Sequence, residues 1–139
     1  GDTIRVSMTG DPVEEIIVGR KILEAAGLRR APIHVISCPT CGRTDPDINL
    51  LELAKKTDQV LTSRFHDRIE ASGKTVTVAV MGCEVNGPGE AAHADLGIAG
   101  GRGGQMLLFA GGEKLRKVDV RNAVEEMADE LEVLLEKLL

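Results

Sequence analysis

The sequence predicts an α/β fold, a compact sandwich of helices on a sheet, and three observations carry that expectation. Thr75 to Val80 alternates apolar and polar residues, with Val76, Val78 and Val80 on one side, the period of a strand. From residue 33 the patterns run strand, helix, strand, then three short strands joined by glycine-rich turns, then a helix. That last helix has Val120, Val124, Met127, Leu131, Leu134, Leu135 and Leu138 on one side, with acidic residues between them forming a solvated face.

Taken in order, Thr3 to Met8 alternates and predicts a strand. Asp11 can cap a helix, Pro12 suits its first turn, and Glu14 stands three residues after the cap. Val13, Ile16, Ile17, Ile22, Leu23 and Ala26 share one face of that helix, and Gly27 stops it. Leu28 to Pro32 is a basic linker, so residues 1–30 form one strand–helix unit that cannot cover its own apolar surface. The second unit, 31–139, opens with a short strand from Ile33 to Ser37 that runs straight into two cysteines. Asp45-Pro46-Asp47 predicts the start of a long helix ending near Gly73, with Ile48, Leu51, Ala54, Leu61, Phe65 and Ile69 as its buried stripe. After the strand at 75–80 come short strands over Leu96–Ala99, Met106–Ala110 and Lys114–Val118, and Asp119 is expected to cap the last helix.

At 139 residues the chain is about one domain in size, with 42% apolar and 28% charged residues, ordinary values for a globular protein. Its core must be aliphatic, since Trp and Tyr are absent and Phe occurs twice. A formal net charge of −5 argues against nucleic-acid or anionic-membrane binding, which rests on clustered Lys and Arg. No apolar run approaches the roughly 20 residues of a membrane span. The first residues have neither an initiator Met nor a basic-then-apolar leader, so a fragment of a longer protein is expected. Three cysteines, an odd number, do not suit a secreted disulfide framework and point to a reducing cytoplasm.

The cysteines carry the functional question. Cys38-Pro39-Thr40-Cys41 and Cys83 both follow predicted strands, at the sheet edge where ligands gather in α/β folds. If those strands are neighbours, three soft thiolates converge and favour a metal or a cluster. Asn86-Gly87-Pro88-Gly89 predicts a tight, irregular turn able to aim N–H groups inward and to return the Glu90 carboxylate beside Cys83. Three thiolates and one carboxylate then make a four-ligand set, against the alternative of a plain β-turn with an exposed Glu. Two other readings stand beside it. Cys-Pro-Thr-Cys between a strand and a helix is similar to a glutaredoxin redox pair, although the helix starts several residues on. A structural zinc could use the cysteines with His34, His66 or, best placed, His93, although no second close-spaced ligand pair exists.

Cys-Pro-Thr-Cys-Gly-Arg-Thr at 38–44 and Met-Gly-Cys-Glu-Val-Asn-Gly-Pro-Gly-Glu-Ala at 81–91, in that order, resemble the 4-hydroxy-3-methylbut-2-enyl diphosphate synthase family in its C-terminal part. Gly1 to Ser7 and Leu96 to Gly101 also look like that family, so the likeness covers nearly the whole chain. The resemblance implies a two-layer sandwich with a mixed sheet, similar to the [4Fe-4S] domain of sulfite and nitrite reductases, preceded by the last β/α unit of a TIM barrel. It implies one [4Fe-4S] cluster held by Cys38, Cys41, Cys83 and Glu90, with Asn86 orienting a ligand or substrate. It further implies two-electron reductive opening of a cyclic diphosphate held mainly by the barrel, a reduced flavodoxin or ferredoxin as donor, and a homodimer in the full-length enzyme. Weaker expectations attach to Arg5 and Ser7 as diphosphate contacts, to Arg43 as an offset for cluster charge, and to Gly100 to Gly104 as a mobile hairpin loop or a segment approaching the cluster.

Overall fold

The computed structural model describes residues 2–85, 87, 89 and 91–138. The chain divides into two compact units, Gly1–Ala31 and Pro32–Leu139.

The first unit holds one helix, α1 (Pro12–Ala25). Asp11 caps it, its side chain accepting the Val13 N–H at 2.9 Å. The helix ends with Gly27 at φ +69°, where the Gly27 and Leu28 N–H groups donate to the Glu24 and Leu23 carbonyls. Gly19 is the buried residue of α1, because Ile4 and Val6 pack over it within 3.7 Å of where a Cβ would stand. Val13, Ile16, Ile17 and Ile22 are 41–58% exposed, so this unit leaves its own apolar face uncovered. The strand expected over Thr3 to Met8 is not formed. A strand exists through a partner's hydrogen-bond ladder, and all five described strands pair with one another inside the second unit.

The second unit is a mixed sheet with helices. Its strands are β1 (Ile33–Ser37), β2 (Val76–Met81), β3 (Leu96–Gly100), β4 (Gln105–Ala110) and β5 (Glu113–Asp119), lying side by side in that order. The first three run parallel and the last three antiparallel. The unit also carries helices α2 (Leu50–Ser72) and α3 (Ala123–Leu138). The β1–α2–β2 crossover brings the first two strands side by side.

The two faces of the sheet differ in residue size. Val76, Val78, Val80, Leu96, Ile98, Met106 and Leu108 face the helices and form one core with Leu61, Phe65, Ile69, Met127, Leu131 and Leu135. On the opposite face Ala79, Met81, Ala99, Leu107 and Phe109 pack with Ala91 and Ala94 of the β2–β3 crossover. Each large aliphatic side chain buried in the helix-facing core contributes roughly 1.5–3 kcal/mol.

Helix α2 starts later than Asp45-Pro46-Asp47 suggests. Asn49 is its cap, accepting the Glu52 N–H at 3.2 Å while its own amide returns to the Glu52 carboxylate. Asp45 is engaged elsewhere. The buried stripe is accordingly Leu50, Leu53, Thr57, Leu61, Phe65 and Ile69, whereas Leu51 is 66% exposed. Asp119 likewise ends β5 rather than capping α3, and its carboxylate takes both the Arg121 amide and guanidinium, which hold its pKa down to about 2.

Leu61→Ala should therefore destabilise the chain by about 2–5 kcal/mol in urea titrations. Leu51→Ala should stay within about 0.5 kcal/mol of the parent. Equal effects would contradict this register of α2.

Candidate functional site

Parallel pairing sets Ser37 opposite Val80 and Met81 opposite Ala99. The segments after β1, β2 and β3 therefore leave the sheet at one edge. Cys38 begins the first, Cys83 lies in the second, and Gly100 to Gly104 make up the third.

Gly82 is where the three segments meet. Its N–H donates to the Cys38 sulfur at 3.3 Å, joining the two cysteine loops directly. A Cβ on Gly82 would stand 2.5 Å from Thr44 Oγ1 and 3.3 Å from Thr44 Cγ2, so Thr44 occupies the space that a side chain would take. A Cβ on Gly100 would stand 2.5 Å from the Gly82 carbonyl oxygen. Asp45 fastens the rim: one carboxylate oxygen accepts the Gly103 N–H at 2.8 Å and the other the Asp47 N–H at 3.0 Å. The glycine-rich β3–β4 turn, expected either as a mobile hairpin loop or near the cluster, is thus tied to the first cysteine loop.

All three cysteines are free thiols. Cys38 is half-buried, Cys41 exposed and Cys83 buried. The Arg43 backbone and side chain hydrogen-bond the Cys41 sulfur and pull its pKa below the ordinary thiol value, opposed only by partial desolvation. The Thr44 N–H closes the turn on the Cys41 carbonyl at 3.0 Å. The Thr44 hydroxyl oxygen is buried and has no hydrogen-bond partner among the described residues.

After Cys83, Glu84 and Val85 form a turn and Gly87 and Gly89 are helical. Gly87 N–H donates to Cys83 O and Ala91 N–H to Gly87 O, each at 3.2 Å. Neither Gly87 nor Gly89 adopts positive φ. Gly87 is small for a different reason: a Cβ there would lie 2.5 Å from Ala99 Cβ. The small second face of the sheet lets this turn approach closely. Asn86 and Glu90 lie outside the described residues.

The histidines do not join the cysteines. His34 is exposed on β1, His66 pairs with Asp67 on α2, and His93 is exposed in the crossover. Among the described residues, no three His, Cys, Asp or Glu side chains are grouped to hold a single metal ion. A cluster is held on several irons, so its thiolates stand farther apart than ligands of one ion. The donor set fits such a group on two counts: an amide already serves one cysteine sulfur, and a buried hydroxyl beside it has no partner among the described residues.

The description "GcpE protein C-terminal domain" matches residues 34–133, which include all three cysteines. The chain belongs to the GcpE C-terminal domain family. It is 50% identical over 132 residues to the 4-hydroxy-3-methylbut-2-en-1-yl diphosphate synthase (flavodoxin) of Clostridium acetobutylicum, covering 95% of this chain and 35% of that protein. The synthase of the same description from Geobacter sulfurreducens is 50% identical over 139 residues, covering 100% of this chain and 35% of its own length. That of Shouchella clausii is 44% identical over 137 residues, 99% of this chain and 34% of its own. The chain spans about a third of the length of these curated relatives.

Thr44, Asp45 and Gly82 are the positions of this GcpE C-terminal domain that sequence reasoning missed. Asp45 carried a misleading helix-start signal; Thr44 and Gly82 carried only adjacency to the cysteine motifs.

Two outcomes follow from the geometry. Gly100→Ala, which sets a methyl against backbone, should lower stability by about 1–3 kcal/mol in urea titrations. In the native apo chain Cys41 should be alkylated faster than buried Cys83 at neutral pH, because the lowered pKa leaves more thiolate. Arg43→Ala should move the Cys41 rate–pH profile part of the way up, leaving the backbone contribution, and so slow the reaction at pH 7; an unmoved profile would remove Arg43 from the account.

Proposed function

We propose that this chain is the iron–sulfur portion of a 4-hydroxy-3-methylbut-2-en-1-yl diphosphate synthase. The whole enzyme would open 2-C-methyl-D-erythritol 2,4-cyclodiphosphate with two electrons and loss of water, in isoprenoid biosynthesis by the non-mevalonate (MEP) route. One observation carries the reading at the site: the Gly82 N–H on the Cys38 sulfur joins two cysteine loops at the ends of neighbouring parallel strands.

In this proposal Cys38, Cys41, Cys83 and Glu90 hold one [4Fe-4S] cluster. When bound, such a cluster supplies electrons singly and, at an iron held by a carboxylate rather than a thiolate, a Lewis-acidic position. The chain's own residues hold, orient and shield. Cys83 is buried within the β2–β3 crossover, Cys41 takes thiolate character from Arg43, and the Gly82 amide offsets charge on the Cys38 sulfur. Asn86 is the proposed orienting group beside Glu90.

Gly1–Ala31 is proposed as the last β/α unit of a TIM barrel with its linker, and Pro32–Leu139 as a domain similar to the cluster domain of sulfite and nitrite reductases. The break at Ala31 and the uncovered apolar face of α1 support this division. The cyclic diphosphate would then be held mainly by the barrel, in keeping with a net charge of −5 here, and the full-length enzyme would be a homodimer. The word flavodoxin in the relatives' names supports reduced flavodoxin as the donor, with ferredoxin the other carrier of suitable chemistry. Three free thiols suit a reducing cytoplasm, and among the described residues no helix is long and apolar enough to cross a membrane.

The lowered Cys41 pKa favours a second reading, a Cys38–Cys41 thiol redox pair. Anaerobic reconstitution decides between them. The cluster reading expects a brown protein with about four irons and four sulfides per chain. Stoichiometric zinc, or a reversible Cys38–Cys41 disulfide with no bound iron, would replace it. Glu90→Ala should assemble the cluster and lose it several-fold faster to a chelator; loss at the wild-type rate would remove Glu90 from the ligand set.

A further inference from the structure

The Thr44 hydroxyl is buried, yet it has no hydrogen-bond partner among the described residues. Folded proteins pair almost all buried polar groups, so a hydroxyl with no such partner calls for an ordered water, an ion, stored strain or a redox or catalytic role. The other orphan, Thr57, lies on the buried stripe of α2, where the carbonyls of its own helix are at hand. Thr44 lies in the loop that follows the first cysteine pair.

Its position is well determined. The Thr44 N–H closes the turn on the Cys41 carbonyl at 3.0 Å, fixing the residue relative to the first cysteine pair. The hydroxyl oxygen lies 2.5 Å from the place a Gly82 Cβ would take. Gly82 is the residue whose amide donates to the Cys38 sulfur. The hydroxyl is therefore lodged between the two cysteine loops, beside a donor already committed to sulfur. Thiolate and sulfide sulfurs accept hydrogen bonds, and donors to them favour the more negative, reduced state of a cluster.

We propose that Thr44 is a hydrogen-bond donor to a sulfur of the centre held between the two cysteine loops, and that it raises the reduction potential of that centre. The inference rests on the iron–sulfur reading above. Thr44 is a tuning residue: the proposal gives it no iron to bind and no contact with substrate.

The test compares Thr44→Val, which keeps the shape and removes the donor, with Thr44→Ser, which keeps the donor. Thr44→Ala is a second donorless variant should the valine not fold. The 139-residue chain is reconstituted anaerobically with iron and sulfide, and its midpoint potential is followed by electron paramagnetic resonance during a redox titration. Thr44→Val and Thr44→Ala should shift the midpoint to more negative values, while Thr44→Ser stays near wild type. Apo Thr44→Val should unfold at a urea concentration no lower than the parent, since the hydroxyl it removes has no partner there among the described residues. A filled cluster with an unmoved midpoint in both donorless variants overturns this inference and leaves the iron–sulfur reading standing. A serine variant shifted as far as the valine also overturns it. A wild-type chain that takes up no cluster overturns both.

Discussion

The site depends on how closely three chain segments approach at Gly82. Parallel pairing of β1, β2 and β3 sends the peptide after each strand out of the same edge. The gap between those segments is small enough that the Thr44 side chain fills the space a Gly82 side chain would need, and the Gly82 carbonyl the space a Gly100 side chain would need. A side chain at Gly100 would press on the Gly82 backbone, whose amide donates to the Cys38 sulfur at 3.3 Å, and one at Gly82 would displace the Thr44 side chain. Loops far apart in sequence thus pack as one wall through the absence of two β-carbons. The Asp45 carboxylate braces the wall from outside, holding the amides of Asp47 and Gly103 together.

The sheet serves this edge through a division of labour between its faces. Valine, leucine, isoleucine and methionine on one face meet α2 and α3 and supply most of the apolar burial. On the other face Ala79, Gly97 and Ala99 leave a shallow floor, and Phe109 lies so close to Gly97 that a Cβ there would strike both its ring and the Ala79 backbone. The crossover carrying Cys83 settles on that floor. A face of large residues would hold the crossover away and lift Cys83 out of its buried position. Surface ion pairs such as Arg64–Glu125 and Arg116–Glu130 join elements around the helix-facing core, but exposed pairs of this kind add little stability.

Periodicity made most of the fold legible. Five strands and three helices could be read from it because a strand's alternation and a helix's stripe are local properties of the chain. What failed was non-local. Thr3 to Met8 has a strand's alternation but no partner strand among the described residues. Asp45-Pro46-Asp47 has the composition of a helix start, yet the Asp45 carboxylate is taken by the Gly103 amide, and moving the cap to Asn49 turns Leu51 outward. Gly87 and Gly89 were read as glycines needed for unusual φ, whereas they are helical and Gly87 is needed for its closeness to Ala99. The cysteine motifs were visible at once, and their neighbouring strands are observed; Glu90 and Asn86 rest on the motif alone. Thr44 was not legible, because an unpaired hydroxyl is defined by burial from residues elsewhere in the chain.

Burial also bears on which chemistry the thiols suit. Thiol–disulfide exchange needs an attacking thiolate that a partner's disulfide can reach, and Cys41 meets that need by exposure and by its Arg43 neighbour. It leaves Cys83 without a purpose, and it gives no reason for an amide to be committed to the Cys38 sulfur. A centre shared by the two loops accounts for both, since a buried ligand, a half-buried ligand and an exposed one grade from the protein interior to solvent. The exposed end is where a cofactor could be loaded, and the buried end is where it would be retained. In the proposed centre, the same Arg43 that makes Cys41 a ready nucleophile would make it a ready ligand, while Cys83 would be held from within by the crossover on its floor of small residues.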